Sequence, residues 1–113
     1  MSKLDDIVAK YQEENTKLGL GIKADLLEAV TRALGPSVYD ADASRVSGND
    51  PDELATVKQN YLIKKLGLAD SPDLDKAIET VMARFDSSSP NKYRALVYAL
   101  LCEHFDKQSV YDL

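Results

Sequence analysis

The stretch ALVYALLC, residues 95–102, constrains the fold more than any other part of the chain, because it is apolar on nearly every side of a helix. An amphipathic helix buries one face, whereas a helix that is apolar all round must be enclosed by other elements. The run is also far shorter than the roughly 20 residues that cross a bilayer. The sequence therefore predicts a soluble protein with no membrane partner, in which this helix is central.

Four other segments predict helices that surround the central one. A third helix is expected from Pro51 to Leu66, and the other three have apolar residues at the helical period. No segment alternates as a strand would. The apolar stripes of those three helices are Leu4, Ile7, Val8, Tyr11 and Leu18; Leu26, Leu27, Val30, Ala33 and Leu34; and Leu74, Ala77, Ile78, Val81, Met82 and Phe85.

Three of the predicted helices share a starting pattern, in which a capping residue stands directly before a proline. A cap side chain accepts a hydrogen bond from the first turn, and proline fits that turn because its missing N–H is not needed there. The resulting fold class is all-α, a single compact domain over residues 1–113 with about five helices and an irregular loop between helices 2 and 3. The three pairs are Asp50-Pro51, Ser71-Pro72 and Ser89-Pro90.

Charge and cysteine content limit the partners and the compartment. The chain has 113 residues, a net charge of −5 and interspersed signs, which argues against a nucleic-acid partner. Its densest basic spot, at Lys58, Lys64 and Lys65 with Arg94 further on, is interpreted as a solvated face. The single Cys102 and the lack of a signal-peptide pattern at the N-terminus predict a cytoplasmic protein.

The loop at residues 35–50 is the first place to look for a site, because it is the longest connection without a helical period. Asp40, Asp42 and Ser44 stand at the first, third and fifth positions of an EF-hand-like loop. The sixth and twelfth positions require glycine and glutamate, but Arg45 and Pro51 stand there. Capping and turn formation explain the aspartates without a metal, and ion or ligand binding by this loop is kept as the alternative.

No set of residues predicts an enzyme, and no cofactor or metal is predicted. Cys102 and His104 lie two residues apart on one helix, so their side chains point in nearly opposite directions and cannot act as a nucleophile and base pair. Cys102 is predicted to be a small buried hydrophobe, and His104 a histidine half covered by the core.

The tetrapeptide SVYD occurs twice, and it supplies Tyr39 and Tyr111 as candidate interaction residues beside Asp40, Asp42, Ser44 and Arg45. Each copy follows a predicted helix end, where valine and tyrosine would pack on the bundle. The alternative is that the C-terminal copy is a short docking peptide for another chain.

Four segments together resemble a small bacterial family of uncharacterised proteins, the domain of unknown function 2853, over nearly the whole chain. The resemblance implies a bacterial, cytoplasmic protein and assigns no reaction. We therefore expect a small helical protein that acts by protein–protein contact or homo-oligomerisation. The segments are MSKLDDIVAKY, GPSVYDADAS, ELATVKQNYLIKKLGLAD and NKYRALVYALLCEHFDKQSVYDL.

Overall fold

The computed structural model describes residues 3–39, 45–46, 50–85 and 92–113. Within these ranges the chain is all-α, as predicted, and its only pairing of extended backbone is an isolated bridge between Arg45 and Tyr93. A π-helical segment, Val57–Ile63, continues α3, and two 3₁₀ turns span Gly35–Tyr39 and Gln108–Tyr111. The α-helices are α1 (Lys3–Leu18), α2 (Ala24–Leu34), α3 (Pro51–Thr56), α4 (Pro72–Met82) and α5 (Arg94–His104).

Helix α5 is the centre of the core, which confirms the sequence prediction. Every residue from 95 to 102 is buried, and the most accessible of them, Tyr98, is 8% exposed. Helices α1, α2 and α4 pack against α5, and the π-helical segment reaches it through Tyr61, whose ring stacks on Tyr98 at 3.9 Å. Burial of each large apolar side chain contributes about 1.5–3 kcal/mol, so this one helix carries much of the stability. Within the ranges that the structure describes, each helix is too short or too polar to span a lipid bilayer.

The predicted helix starts at Pro51 and Pro72 are confirmed. The Asp50 carboxylate accepts a hydrogen bond from the Asp52 N–H at 3.0 Å, and Pro51 is the first helical residue. Pro72 likewise begins α4, although the Ser71 side chain makes no cap hydrogen bond. The proline therefore marks both starts, whereas the side-chain cap forms only at Asp50.

The predicted start of α5 at Ser89-Pro90 is wrong, because α5 begins at Arg94. Ser89 and Pro90 themselves lie outside the described residues. Just before the helix the chain is extended, and the Val46 N–H donates a hydrogen bond to the Lys92 carbonyl at 2.8 Å. This long-range pairing holds the backbone out of the helix, and local sequence does not reveal it.

The third predicted helix changes its winding after α3. The Leu66 N–H donates to the Tyr61 carbonyl five residues earlier, at 2.9 Å, which is the π-helical spacing. Val57 and Leu62 are also five residues apart, and both are fully buried. The wider turn thus brings onto one face two apolar side chains that an α-helix would separate.

Asn15 is a buried polar residue that fixes the loop between α1 and α2. Its Nδ2 donates to the Ile22 carbonyl at 2.8 Å, and its Oδ1 accepts from the Ile22 N–H at 3.0 Å. Within this loop, Gly19 and Gly21 have positive φ angles of 66° and 72°, which glycine adopts without the steric cost that a Cβ atom would bring. One side chain therefore satisfies both backbone groups of Ile22.

Candidate functional site

A groove of about 510 Å³ runs between α4 and the wall formed by α3 with the π-helical segment. Leu54, Ala55 and Lys58 line one wall, and Ile78 and Met82 are among the residues on the other. The lining residues of each wall recur every three or four positions, some of them as adjacent pairs such as Ile78 with Glu79, so each wall presents one continuous helix face. Sequence reasoning missed this groove, because it depends on how two helices pack.

The floor of the groove is apolar. Ile78 is 4% exposed and belongs to the core, while Leu54 and Met82 are partly buried against it. Ala55 is exposed on the α3 wall. The hydrophobic core therefore reaches solvent along this groove.

The rim of the groove is charged, and its charges are paired at Lys58 but not at Glu79. The Lys58 Nζ lies 3.0 Å from Asp70 and 3.2 Å from Asp75, and these hydrogen bonds, the one to Asp70 first, raise the pKa of Lys58. Glu79 is exposed on the α4 wall and makes no side-chain hydrogen bond or ion pair with the residues that the structure describes. The charge that the rim presents without compensation is therefore negative.

The structure places the three described candidates, Tyr39, Arg45 and Tyr111, in separate surroundings, and none of these three lines the groove. Tyr39 is 49% exposed in the first 3₁₀ turn. Arg45 is exposed and its guanidinium lies 5.6 Å from the centre of the Tyr93 ring. Tyr111 is partly buried, and its hydroxyl donates to the Tyr61 hydroxyl at 3.0 Å. The three other candidates, Asp40, Asp42 and Ser44, lie outside the described residues.

The packing interpretation of the SVYD repeat is correct for most of its valines and tyrosines. Val38 is buried, and Val110 and Tyr111 pack partly buried against the core. Tyr39 is the exception, because it is 49% exposed although its neighbour Val38 is buried. With Val38 in the core, the next side chain points to solvent.

Cys102 and His104 have different surroundings. Cys102 is fully buried, as predicted, and this burial raises the pKa of its thiol. His104 is exposed at the end of α5 and meets Phe105 edge-on at 4.9 Å, and its half coverage by the core stays a prediction. Among the described residues, no three His, Cys, Asp or Glu side chains are grouped so that they could hold a metal ion.

Three tyrosines form a connected cluster beside α5. The Tyr61 hydroxyl donates to the Tyr98 carbonyl at 2.9 Å and accepts from Tyr111. Burial raises the pKa of Tyr61, and burial also raises the pKa of Tyr111 to about 12. Both hydroxyls are therefore held in the neutral form that the hydrogen bonds require.

Alkaline pH is expected to destabilise the fold through this cluster. The unfolded chain releases the proton of Tyr111 near pH 10.0, whereas the folded chain retains it to about 12. The free energy of unfolding should therefore fall as pH rises from about 10 to 12, by up to about 1.4 kcal/mol per pH unit for each such tyrosine. Urea titrations between pH 8 and 12 measure this slope. Tyr111→Phe should reduce the slope and the matched Tyr39→Phe should not; an unchanged slope in Tyr111→Phe contradicts the prediction.

Comparison with known proteins identifies a family. The family model described as "Protein of unknown function (DUF2853)" matches residues 3–109. No curated protein matches the chain. The match covers all five α-helices and both walls of the groove.

Proposed function

The chain belongs to the DUF2853 family of proteins of unknown function, and we propose that it acts in the cytoplasm by protein–protein contact, with the groove between α3 and α4 as its binding surface. The observation that carries this proposal is the apolar floor, where Leu54 and Met82 reach solvent beside the exposed Ala55. Covering such a surface removes apolar area from water, which favours association.

The polar groups of the groove support a binding role over catalysis. Its rim carries Lys58, Gln59, Asp75 and Glu79, and the ammonium of Lys58 is already paired with carboxylates. These groups are suited to orient a partner. They supply no nucleophile with an adjacent base, which covalent catalysis would need.

Three of the four basic residues that could have served a nucleic acid are engaged within the protein, and the fourth, Lys64, is exposed. Lys58 is paired with Asp70 and Asp75, and Arg94 is paired with Glu53. The Lys65 Nζ lies over the Tyr111 ring, 5.1 Å from its centre. A phosphate backbone binds by releasing counterions from free cations, so these pairings support a protein partner.

Site-specific photocrosslinking in cells that naturally produce the protein tests this proposal. A benzoylphenylalanine at the exposed position of Ala55 would lie in the groove, and one at Glu13, exposed on α1, is the matched control. We expect one adduct of defined mass from position 55 and none of that mass from position 13. An adduct of twice the chain mass would identify a second copy as the partner. The same adducts from both positions, or none from position 55, would refute the proposal.

The alternative, ion or ligand binding by the loop at residues 40–50, stays a prediction. Its aspartates Asp40 and Asp42 lie outside the described residues. Calorimetry with calcium and magnesium distinguishes the two proposals, because a groove that binds protein predicts no heat with either ion.

A further inference from the structure

The lining residues of the groove are spaced so that an additional helix could bind between its two walls. Its walls are lined at positions 51, 54, 55, 58 and 59 on one side and at 75, 78, 79 and 82 on the other. The α4 positions follow the i, i+3, i+4, i+7 pattern of one helix face over two turns, or roughly 10 Å at 1.5 Å per residue. The other wall follows the same pattern from 51 to 58, with Gln59 beside it. A helix bound between two such faces would insert apolar side chains at the same spacing.

The charges along the groove indicate which charge the bound helix would carry. Among the described residues that line the groove, the one cation is Lys58, which is neutralised by Asp70 and Asp75. Glu79 stands between Asp75 and Met82 on the α4 wall and has no side-chain partner among the described residues. An ion pair at a partly desolvated rim contributes more to partner selection than to affinity.

We propose that the occupant is an amphipathic helix of another protein, about two turns long at the contact, with two or three apolar side chains on the floor and a lysine or arginine that pairs with Glu79. This inference rests on the proposed function, because it names the kind of partner that the same groove receives. Leu54, Ile78 and Met82 contact the apolar side chains, and Glu79 selects for the basic residue.

A second copy of this chain fits the groove less well than another protein does. The apolar residues of α1, α2 and α4 are directed into their own core, and α5 is buried on all sides. Apart from the α4 wall of the groove itself, a folded copy therefore offers no free apolar helix face from these elements. Its net charge of −5 would also repel the acidic rim.

Two synthetic helical peptides of 15 residues test the proposal directly. Both carry leucine at i, i+3 and i+7 on an alanine-rich helix, and they differ only in having lysine or glutamate at the flanking positions. Binding is measured by fluorescence anisotropy at low salt and located by NMR of the Ile78 and Met82 methyl groups. We expect the lysine peptide to bind at least tenfold more tightly than the glutamate peptide and to shift both methyl signals.

Matched charge reversals separate a specific pair from general attraction to an acidic protein. Glu79→Lys should abolish or reverse the preference for the lysine peptide. Glu13→Lys makes the same change in net charge at an exposed position on α1 and should preserve the preference. Met82→Glu should weaken the binding of both peptides by about tenfold or more. Circular dichroism checks that each variant is folded. If Glu79→Lys fails to fold, Glu79→Gln replaces it and should remove most of the preference.

Each other outcome overturns the inference, and the crosslink from position 55 still tests the proposed function on its own. Equal binding of the lysine peptide to the Glu79→Lys and Glu13→Lys variants would refute the role of Glu79. If neither peptide shifts the methyl signals but the fluorescent apolar probe anilinonaphthalenesulfonate does, the groove holds a small apolar ligand. A crosslink from position 55 together with no peptide binding would retain the protein partner and reject the helix.

Discussion

Replacing Leu101 with alanine is expected to lower the free energy of unfolding by about 3–5 kcal/mol. Leu101 is fully buried in the middle of α5, where it belongs to the core shared by the surrounding helices. Removing its side chain costs both the transfer free energy of the deleted atoms and the cavity that they leave. A domain of this size is stable by about 5–15 kcal/mol, so the variant should lose a large part of its stability. Urea titration followed by circular dichroism measures the change.

The matched control is Leu113→Ala, which removes the same atoms from a side chain that is half exposed. Its expected effect is below about 0.5 kcal/mol. A loss of less than about 1 kcal/mol in Leu101→Ala would contradict the central position of α5.

Replacing Arg94 with methionine is expected to cost about 2–3 kcal/mol. The guanidinium of Arg94 pairs with Glu53 on α3, donates to the Tyr98 hydroxyl at 3.1 Å and donates to the Arg45 carbonyl at 3.3 Å. Both members of the ion pair are partly buried, so loss of the arginine leaves the Glu53 carboxylate uncompensated at a site that water only partly reaches. Methionine retains much of the apolar stem, which isolates the polar contribution.

The double variant Glu53→Met/Arg94→Met provides the internal control. If the pair is coupled, the double variant should lose less stability than the two single variants do together, by about 1 kcal/mol or more. Additive losses within about 0.5 kcal/mol would show that Arg94 acts through its other contacts instead. Thermal and urea unfolding of the unchanged protein, the two single variants and the double variant complete this double-mutant cycle.

The central features of the fold could be predicted from the sequence because they depend on local patterns. An uninterrupted apolar run can only be buried, and Asp50-Pro51 contains in two residues both the cap and the start of a helix. The burial of Cys102 followed from its place in that run. In each case the physical cause lies within one turn or one helix.

The features that sequence reasoning missed depend on residues far apart in the chain. The start of α5 is set by pairing with the segment at residues 45–46, and the role of Asn15 is visible only when the loop returns to it. The groove requires two helix faces to lie side by side, with Lys58 reaching Asp75. An exposed apolar stripe and a charged rim are not distinguishable from an ordinary surface helix until the neighbouring helix is in place.

Because Asn15 of α1 is hydrogen-bonded to Ile22, hydrogen exchange at the Ile22 amide reports on whether α1 is attached to the rest of the fold. Because the buried amide side chain occupies both backbone groups of Ile22, α1 cannot detach without releasing the Ile22 N–H to water. The rate at which that one amide exchanges with deuterium therefore sets a lower limit on the free energy of the local opening that frees α1.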